Sequence, residues 1–341
     1  MLFHLFSTIP GRIPIAMLAL SVAAVGGIIT GPVGSNARPL FWILMEALFG
    51  RLGAKLDRDA RGPKDLIIRG VVLTVLGIGF AVLIGAAAGK LVRMLPFWGV
   101  TDIVLLSLVL SAGSVWRSLY KLYEALKDNK VKGAYLAIAR STHTDLSGAD
   151  DFTITRTGMG YAARSFDKCT VAPVFWYLIG GLPCAFIYTG LATLSSRFAR
   201  DGFTKGFGAI PMGLEKVAGF VPSCLAGLLM ALGGLFTPTG GMVRAFRGLF
   251  ASKGKAPYAE GGWPLTAMAW SLDVILGGPV RDRDGRSLKR EWVGPENASA
   301  QLQPGHLRRA LYISLMAHLL FMAGLMGLML GIGAFFGKTP L

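Results

Sequence analysis

Of 341 residues, 53% are apolar and only 16% charged, and the mean hydropathy is +0.54. A soluble domain carries nearer ~25% charged residues, so this balance excludes an ordinary soluble enzyme and points to an integral membrane protein. The net charge of +16 invites a nucleic-acid partner, but its distribution along the chain argues against one.

Apolar runs fall at about 13–33, 66–89, 101–115, 171–194, 217–236 and 311–336. They predict an all-α, polytopic membrane protein of about six transmembrane helices with interfacial amphipathic helices, in one membrane domain over 1–341. The first run has no positive n-region before it, only Arg12, and no A-x-A site after it. It therefore reads as a mature helix and not as a cleaved leader. Segment 34–65 sets Leu44, Leu48, Leu52 and Leu56 against Arg51, Lys55 and Arg58 at helical spacing. Such a stripe suits a helix in the membrane interface or a docked structural helix, bounded by Pro39 and by Gly62-Pro63. In the second run, Gly85-Ala86-Ala87-Ala88-Gly89 has the small-residue spacing that lets helices pack closely. Lys90 follows it, but a P-loop needs one more spacer and Ser or Thr where Leu91 stands, so that reading fails.

Segment 116–170 begins as a charged amphipathic helix through Lys127 and turns polar at Ser141-Thr142-His143-Thr144-Asp145. Arg156, Arg164, Asp167 and Lys168 then fall within thirteen residues, before 24 uncharged residues from Val171 to Leu194. Gly180-Gly181-Leu182-Pro183 interrupts that run and frees backbone groups at membrane depth. Two readings stand: a kinked packing helix, or a re-entrant or broken helix beside a site. Further on come Gly261-Gly262-Trp263-Pro264 and the polar Arg281-Asp282-Arg283-Asp284-Gly285-Arg286. In the last run, Gly327 and Gly331 have packing spacing, and His318 reads as a hydrogen-bonded packing residue. Cys169, Cys184 and Cys224 lack zinc or redox spacing, and the four histidines form no metal cluster.

Counting Lys and Arg between the runs gives 26 on segments 34–65, 116–170 and 237–310, against 8 on the alternate ones and the termini. The positive-inside rule then puts the three rich segments in the cytoplasm and both termini outside. The basic excess is read as topology and as contact with anionic lipid or substrate, with no nucleic acid as partner.

The stretch VAPVFWYLIGGLPCAFIYTGLATLSS, from Val171 to Ser196, resembles the central motif of the CobD/CbiB family of membrane proteins in cobalamin biosynthesis. That family usually shows VAPLFW–GGLPGA–Y–NTLDS there. Gly261-Gly262-Trp263-Pro264-Leu265-Thr266-Ala267-Met268-Ala269, followed by Leu276-Gly277-Gly278-Pro279, resembles its AGWPMAAMA…LGGP. The resemblance covers roughly Leu40 to Leu311. It implies a protein of the bacterial cytoplasmic (inner) membrane that forms an amide between a corrinoid carboxylate and aminopropanol or its phosphate, as adenosylcobinamide-phosphate synthase does. ATP and Mg²⁺ are the cofactors it implies, and the corrinoid, the lipid bilayer and a possible homo-oligomer are the partners.

On that reading Arg140, Asp145 and Asp167 are candidate catalytic groups, and Arg156, Arg164, Lys168 and Glu260 candidate substrate-binding groups. Trp263 is a stacking surface for a flat ligand or an interfacial belt residue. Asp145, Asp150, Asp151, Asp167, Glu260, Asp282 and Asp284 are the carboxylates available to a metal, with no ligand set assigned. The chain departs from the family pattern where acids are usual. Gly160, Arg164 and Lys168 replace acidic positions of an ES-x-x-EN-x-x-D stretch, with Tyr161 and Ser165 at its Ser and Asn. Ala192 and Ser195 replace the Asn and Asp of NTLDS, Glu215-Lys216 stand for an Asp pair, and Glu260 for an Asn. Two readings follow: a divergent synthase, or a non-catalytic relative resembling the AmpE branch that keeps the scaffold for binding or regulation. A transporter is weaker, since charges at span centres are nearly absent.

Overall fold

The computed structural model describes residues 2–58, 62–95, 97–128, 130, 133–199, 206–238, 240–283 and 285–336. Within them, α1 (Leu2–Thr30) leads to α2 (Leu40–Leu56), α3 (Pro63–Met94), α4 (Trp98–Ser107), α5 (Gly113–Lys127) and α6 (Leu136–Thr142). After the short strand β1 (Thr144–Asp145), α7 (Asp151–Phe166) runs through a π-turn at Asp167–Val171 into α8 (Ala172–Phe198). Then come α9 (Ala209–Gly233), α10 (Met242–Phe250), α11 (Gly262–Leu272) and α12 (Pro304–Phe336). Between α11 and α12 lie β2 (Leu276–Gly277), β3 (Val280–Asp282), β4 (Ser287–Leu288) and β5 (Trp292–Val293). Five helical stretches are long and apolar enough to cross a bilayer: 9–30, 63–94, 151–198, 209–236 and 304–334. Their outward faces carry exposed Ile29, Val75, Leu83, Val217 and Leu330, as lipid-facing surfaces do and water-facing ones do not. The protein is an all-α polytopic membrane protein.

The expected span at 101–115 is a broken one. α4 is only ten residues, about 15 Å long, or half a hydrocarbon core. The chain leaves the helix because its backbone is recruited elsewhere: Leu108 O accepts from Phe41 N, and Ser111 N donates to Cys169 O, each at 3.0 Å. α5 restarts at Gly113, where a Cβ would stand 1.8 Å from Ala24 O of α1, so glycine alone permits the crossing.

The stretch from Asp151 to Phe198 is 48 residues, which as one straight helix would measure about 72 Å, twice what a bilayer needs. It doubles back at Gly181, whose φ of 71° and ψ of −161° belong to a region open essentially to glycine. Lys168 and Tyr188 would stand ~30 Å apart on a straight helix, yet both reach Oε1 of Glu215. Pro183 cannot donate to Ile179 O; Arg12 Nη1 instead caps both Leu178 O and Ile179 O at 3.0 Å. Of the two readings of the Gly-Gly-Leu-Pro break, the chain adopts the broken one.

The returning half of α8 lies against α3. A Cβ on Gly77 would meet Leu194 Cδ1 at 2.6 Å, one on Gly85 would meet Pro183 Cα at 2.8 Å, and one on Gly190 would meet Ala81 Cβ at 2.9 Å. Lipid tails are as apolar as leucine, so this contact is held by close packing and not by exclusion of water. Phe186 stacks edge-on against Phe41 at 4.7 Å, fixing α2 across the hairpin. The leucine stripe of α2 points away: Leu40, Leu44, Leu48 and Leu52 are exposed, while Phe41, Trp42 and Met45 are buried. Gly327 and Gly331, expected to pack, meet nothing within 4 Å; α12 presents that face outward. His318 does pack, between Trp116 and Phe166, with Nδ1 2.6 Å from Ser314 O.

Candidate functional site

At the end of the molecule away from the Gly181 tip lies a cavity of about 570 Å³. Every connecting segment rich in Lys and Arg reaches it. Arg38 comes from the α1–α2 link, His143 from the end of α6, Lys168 from the π-turn, and Tyr258, Glu260 and Arg290 from the region around α11. β1 pairs antiparallel with β3, Thr144 opposite Asp282, and this ladder ties segments 116–170 and 237–310 together beside the opening. Segment 195–216, expected on the opposite face, lines the same cavity through Ser195, Ser196, Met212 and Glu215. The reversal at Gly181 is the cause, since it returns the chain to the side from which it came.

The π-turn sets the first cluster. One extra residue per turn re-aims the side chains, so Lys168 faces the cavity while Asp167 is enclosed, 1% exposed. Lys168 Nζ lies 2.6 Å from Glu215 Oε1, 2.5 Å from the Tyr258 hydroxyl and 3.3 Å from Asp167 Oδ2. The Tyr258 and Tyr188 hydroxyls donate to the same Glu215 oxygen at 2.7 and 3.1 Å. Burial, countered by Lys168, holds the Tyr258 phenol protonated well above its ordinary range. A largely buried ammonium, its side chain 14% exposed, is thus fixed in direction by one carboxylate and one phenol.

The second cluster centres on Glu46. Arg38 pairs with it, Trp42 Nε1 donates to it at 2.7 Å, and His143 Nε2 lies 2.9 Å away. Burial alone would raise the Glu46 carboxyl, but Arg38 and His143 outweigh it and bring it down to about 2. Burial lowers the imidazole of His143, against the pull of Glu46. His143 sits at φ 55°, a left-handed cap on α6, the kind of constrained backbone that clusters at sites. Arg38 Nη2 also holds Ser196 Oγ at 3.1 Å, binding this cluster to the returning arm of the hairpin.

A third group faces the cavity with few partners. Arg164 and Arg290 line it together with Glu260, and the charges nearest Arg164 are Arg290, Arg38 and Glu260. Glu260 Oε2 accepts from Glu291 N at 3.0 Å, and burial lifts the carboxyl above its ordinary value. Burial likewise lowers Arg290. A small side pocket of about 20 Å³ behind them is closed by Arg156, whose guanidinium stacks on Trp292 at 4.7 Å.

Of the residues singled out from the sequence, Arg164, Lys168, Glu260 and Asp282 line the cavity and Arg156 stands just behind it. Asp167 touches Lys168 from behind and does not line the space. Arg140, Asp145 and Trp263 lie elsewhere. Arg140 is exposed and clamps Gly34 O at 2.5 Å. Asp145 folds its carboxylate onto Ser147 N at 3.0 Å, which shapes a turn. Trp263 packs against Phe250 and Gly227. Asp150 caps α7 through Thr153 N at 3.0 Å, Asp282 accepts from Arg283 N at 2.8 Å, and Asp284 lies outside the described residues. Sequence reasoning passed over Arg38, Glu46, Tyr258 and Arg290. Glu46 carried a signal, being the one acid inside the apolar helix α2.

Mg²⁺ is usually held by one or two carboxylates plus substrate phosphates. Among the described residues no three His, Cys, Asp or Glu side chains converge on a metal position. Glu46 and Glu215 are already engaged by cations and hydroxyls. Arg38, Arg164, Lys168 and Arg290 in the lining suit an anion; Glu260, Asp282 and Glu291 line it as well, and among the described residues they do not converge as three on one metal position.

The class is therefore a polytopic helical membrane protein with a cation-lined cavity closed by a broken-helix hairpin. A family profile described as CobD/Cbib protein matches residues 34–314, and the chain belongs to that family. A Cobalamin biosynthesis protein CobD of Brucella melitensis biotype 1 is 27% identical over 256 residues, covering 71% of this chain and 77% of that one. Cobalamin biosynthesis protein CbiB of Salmonella typhi is 25% identical over 287 residues, covering 82% and 87%. A Probable cobalamin biosynthesis protein CobD of Methanocaldococcus jannaschii is 22% identical over 272 residues, covering 76% and 85%. No solved structure matches the chain.

Proposed function

We propose that the chain works in cobalamin biosynthesis, joining a corrinoid carboxylate to aminopropanol or its phosphate as an amide. The observation that carries this reading is convergence. Both stretches that resemble the family's motifs, 90 residues apart at Val171 and Gly261, end beside one cavity that also gathers Lys168, Arg164 and Arg290. A cavity of about 570 Å³ is of the size that encloses a drug-sized molecule. It takes one side arm of a corrinoid and the small amine, and leaves the ring at the opening. Lys168, aimed by Glu215 and Tyr258, would meet negative charge as it develops on the attacked carboxyl group. Condensing a carboxylate with an ammonium requires an activating reagent, and ATP is the one the resemblance implies. On this reading the cavity faces the cytoplasm, a sidedness that the Lys and Arg distribution supports, and the cytoplasmic membrane is the location that the resemblance implies.

Complementation tests the reading. In a strain lacking the synthase, the wild-type chain restores cobalamin-dependent growth, and Lys168→Met does not despite equal membrane levels. A second reading, a non-catalytic binding relative, is favoured by the engagement of Glu46 and Glu215 in ion pairs. It predicts no rescue by well-expressed wild-type protein.

A further inference from the structure

Arg164 and Arg290 face one cavity, and among the described residues neither guanidinium makes a hydrogen bond or an ion pair. The Nε of Arg164 is sealed from solvent with no acceptor. An enclosed charge without a partner is costly, and native folds seldom keep one idle. Two such groups lining one cavity also repel each other, with Glu260 near both and Asp282 near Arg290 as the carboxylates about them. A ligand of opposite charge removes both penalties.

We propose that Arg164 and Arg290 form a seat for a phosphate group, bound directly and without a divalent cation between. The inference rests on the cavity being the ligand site, as proposed above, and adds what end of the ligand it holds. A carboxylate offers two oxygens in one plane, whereas the tetrahedrally set terminal oxygens of phosphate serve two forks approaching from different walls and carry more charge to meet two cations. Arg164 comes from α7 and Arg290 from the link between β4 and β5, so the seat closes only when the two walls meet. A metal ion bridging ligand to protein would sit against two unpaired cations, and among the described residues no three carboxylate or imidazole groups converge to hold it.

Titration calorimetry on the full chain in detergent, with inorganic phosphate as the probe, tests this. Phosphate binds in EDTA, added Mg²⁺ changes the affinity less than twofold, and acetate at equal concentration does not compete. Arg164→Gln and Arg290→Gln each weaken phosphate binding by about tenfold or more, the usual weight of a charged hydrogen bond. Lys121→Gln, at an exposed position of α5, leaves it unchanged. Arg164→Gln also melts at or above the wild-type temperature, since it removes an unpaired charge; a merely structural arginine would leave a less stable protein. Phosphate binding that requires Mg²⁺, that is absent, or that survives both Gln substitutions overturns the seat. Amide formation absent from a protein that binds phosphate overturns the ligase reading and leaves the seat standing.

Discussion

Gly181 holds a φ of 71° and ψ of −161°, a conformation that costs a residue with a Cβ about 1–3 kcal/mol. Gly181→Ala should therefore lower the detergent melting temperature, with Gly180→Ala as a separate test of the Cys184 contact beside it. Acid should loosen the Glu46 cluster in two stages. His143 has its imidazole lowered, so the unfolded chain binds the extra proton and stability falls as pH drops below about 6.5. Glu46 is depressed to about 2 from 4.5, so its contribution is complete above 4.5 and is lost between there and 2. Melting curves from pH 8 to 3 should fall in that order, and Glu46→Gln should flatten the lower step. At this scale the sequence disclosed Arg164, Lys168 and Glu260, because charge beside apolar runs is conspicuous. Arg38, His143 and Arg290 stayed hidden because each is ordinary where it stands. Only the fold brings residues more than a hundred positions apart into one wall.

Helices of this protein meet where side chains are missing. A Cβ at Gly85 would stand 2.8 Å from Pro183 Cα, whereas Gly79 on the same helix has nothing within 4 Å. Gly85→Leu should push α3 off the hairpin and destabilise the fold by about 1–3 kcal/mol, read as lost monodisperse yield and a lower melting temperature. Gly79→Leu should stay within ~0.5 kcal/mol of wild type. The glycine spacing of this helix was visible in the sequence, and so were most apolar runs. The same spacing at Gly327 and Gly331 misled, since a pattern shows that close approach is allowed and not that a partner is there. The broken span at 101–115 could not be read either. Its end is set by bonds from Leu108 O to Phe41 N and from Ser111 N to Cys169 O, and hydropathy carries no trace of them.

For the whole molecule, the hairpin at Gly181 decides where the chemistry can lie. Without it, α8 would carry Ser195, Ser196 and the following Glu215 to the far side, and the cavity would lose one wall. The Gly-Gly-Leu-Pro break told of a discontinuity in the run but not of its angle, which rests on the Arg12 cap and on packing against α3. Of the positions where this chain departs from the pattern it resembles, Arg164, Lys168, Ala192, Ser195, Glu215 and Glu260 line that cavity, while Gly160 and Lys216 do not. The most direct measurement is product formation in proteoliposomes supplied with the corrinoid acid, aminopropanol phosphate and ATP, followed by mass spectrometry. Wild-type protein should yield the amide, and Lys168→Met should yield it at least ~100-fold more slowly, the scale expected when a charge-stabilising donor is lost. Equal rates from the two proteins, or no amide from wild-type protein that binds phosphate, would contradict the assignment of this cavity as the place where the bond is made.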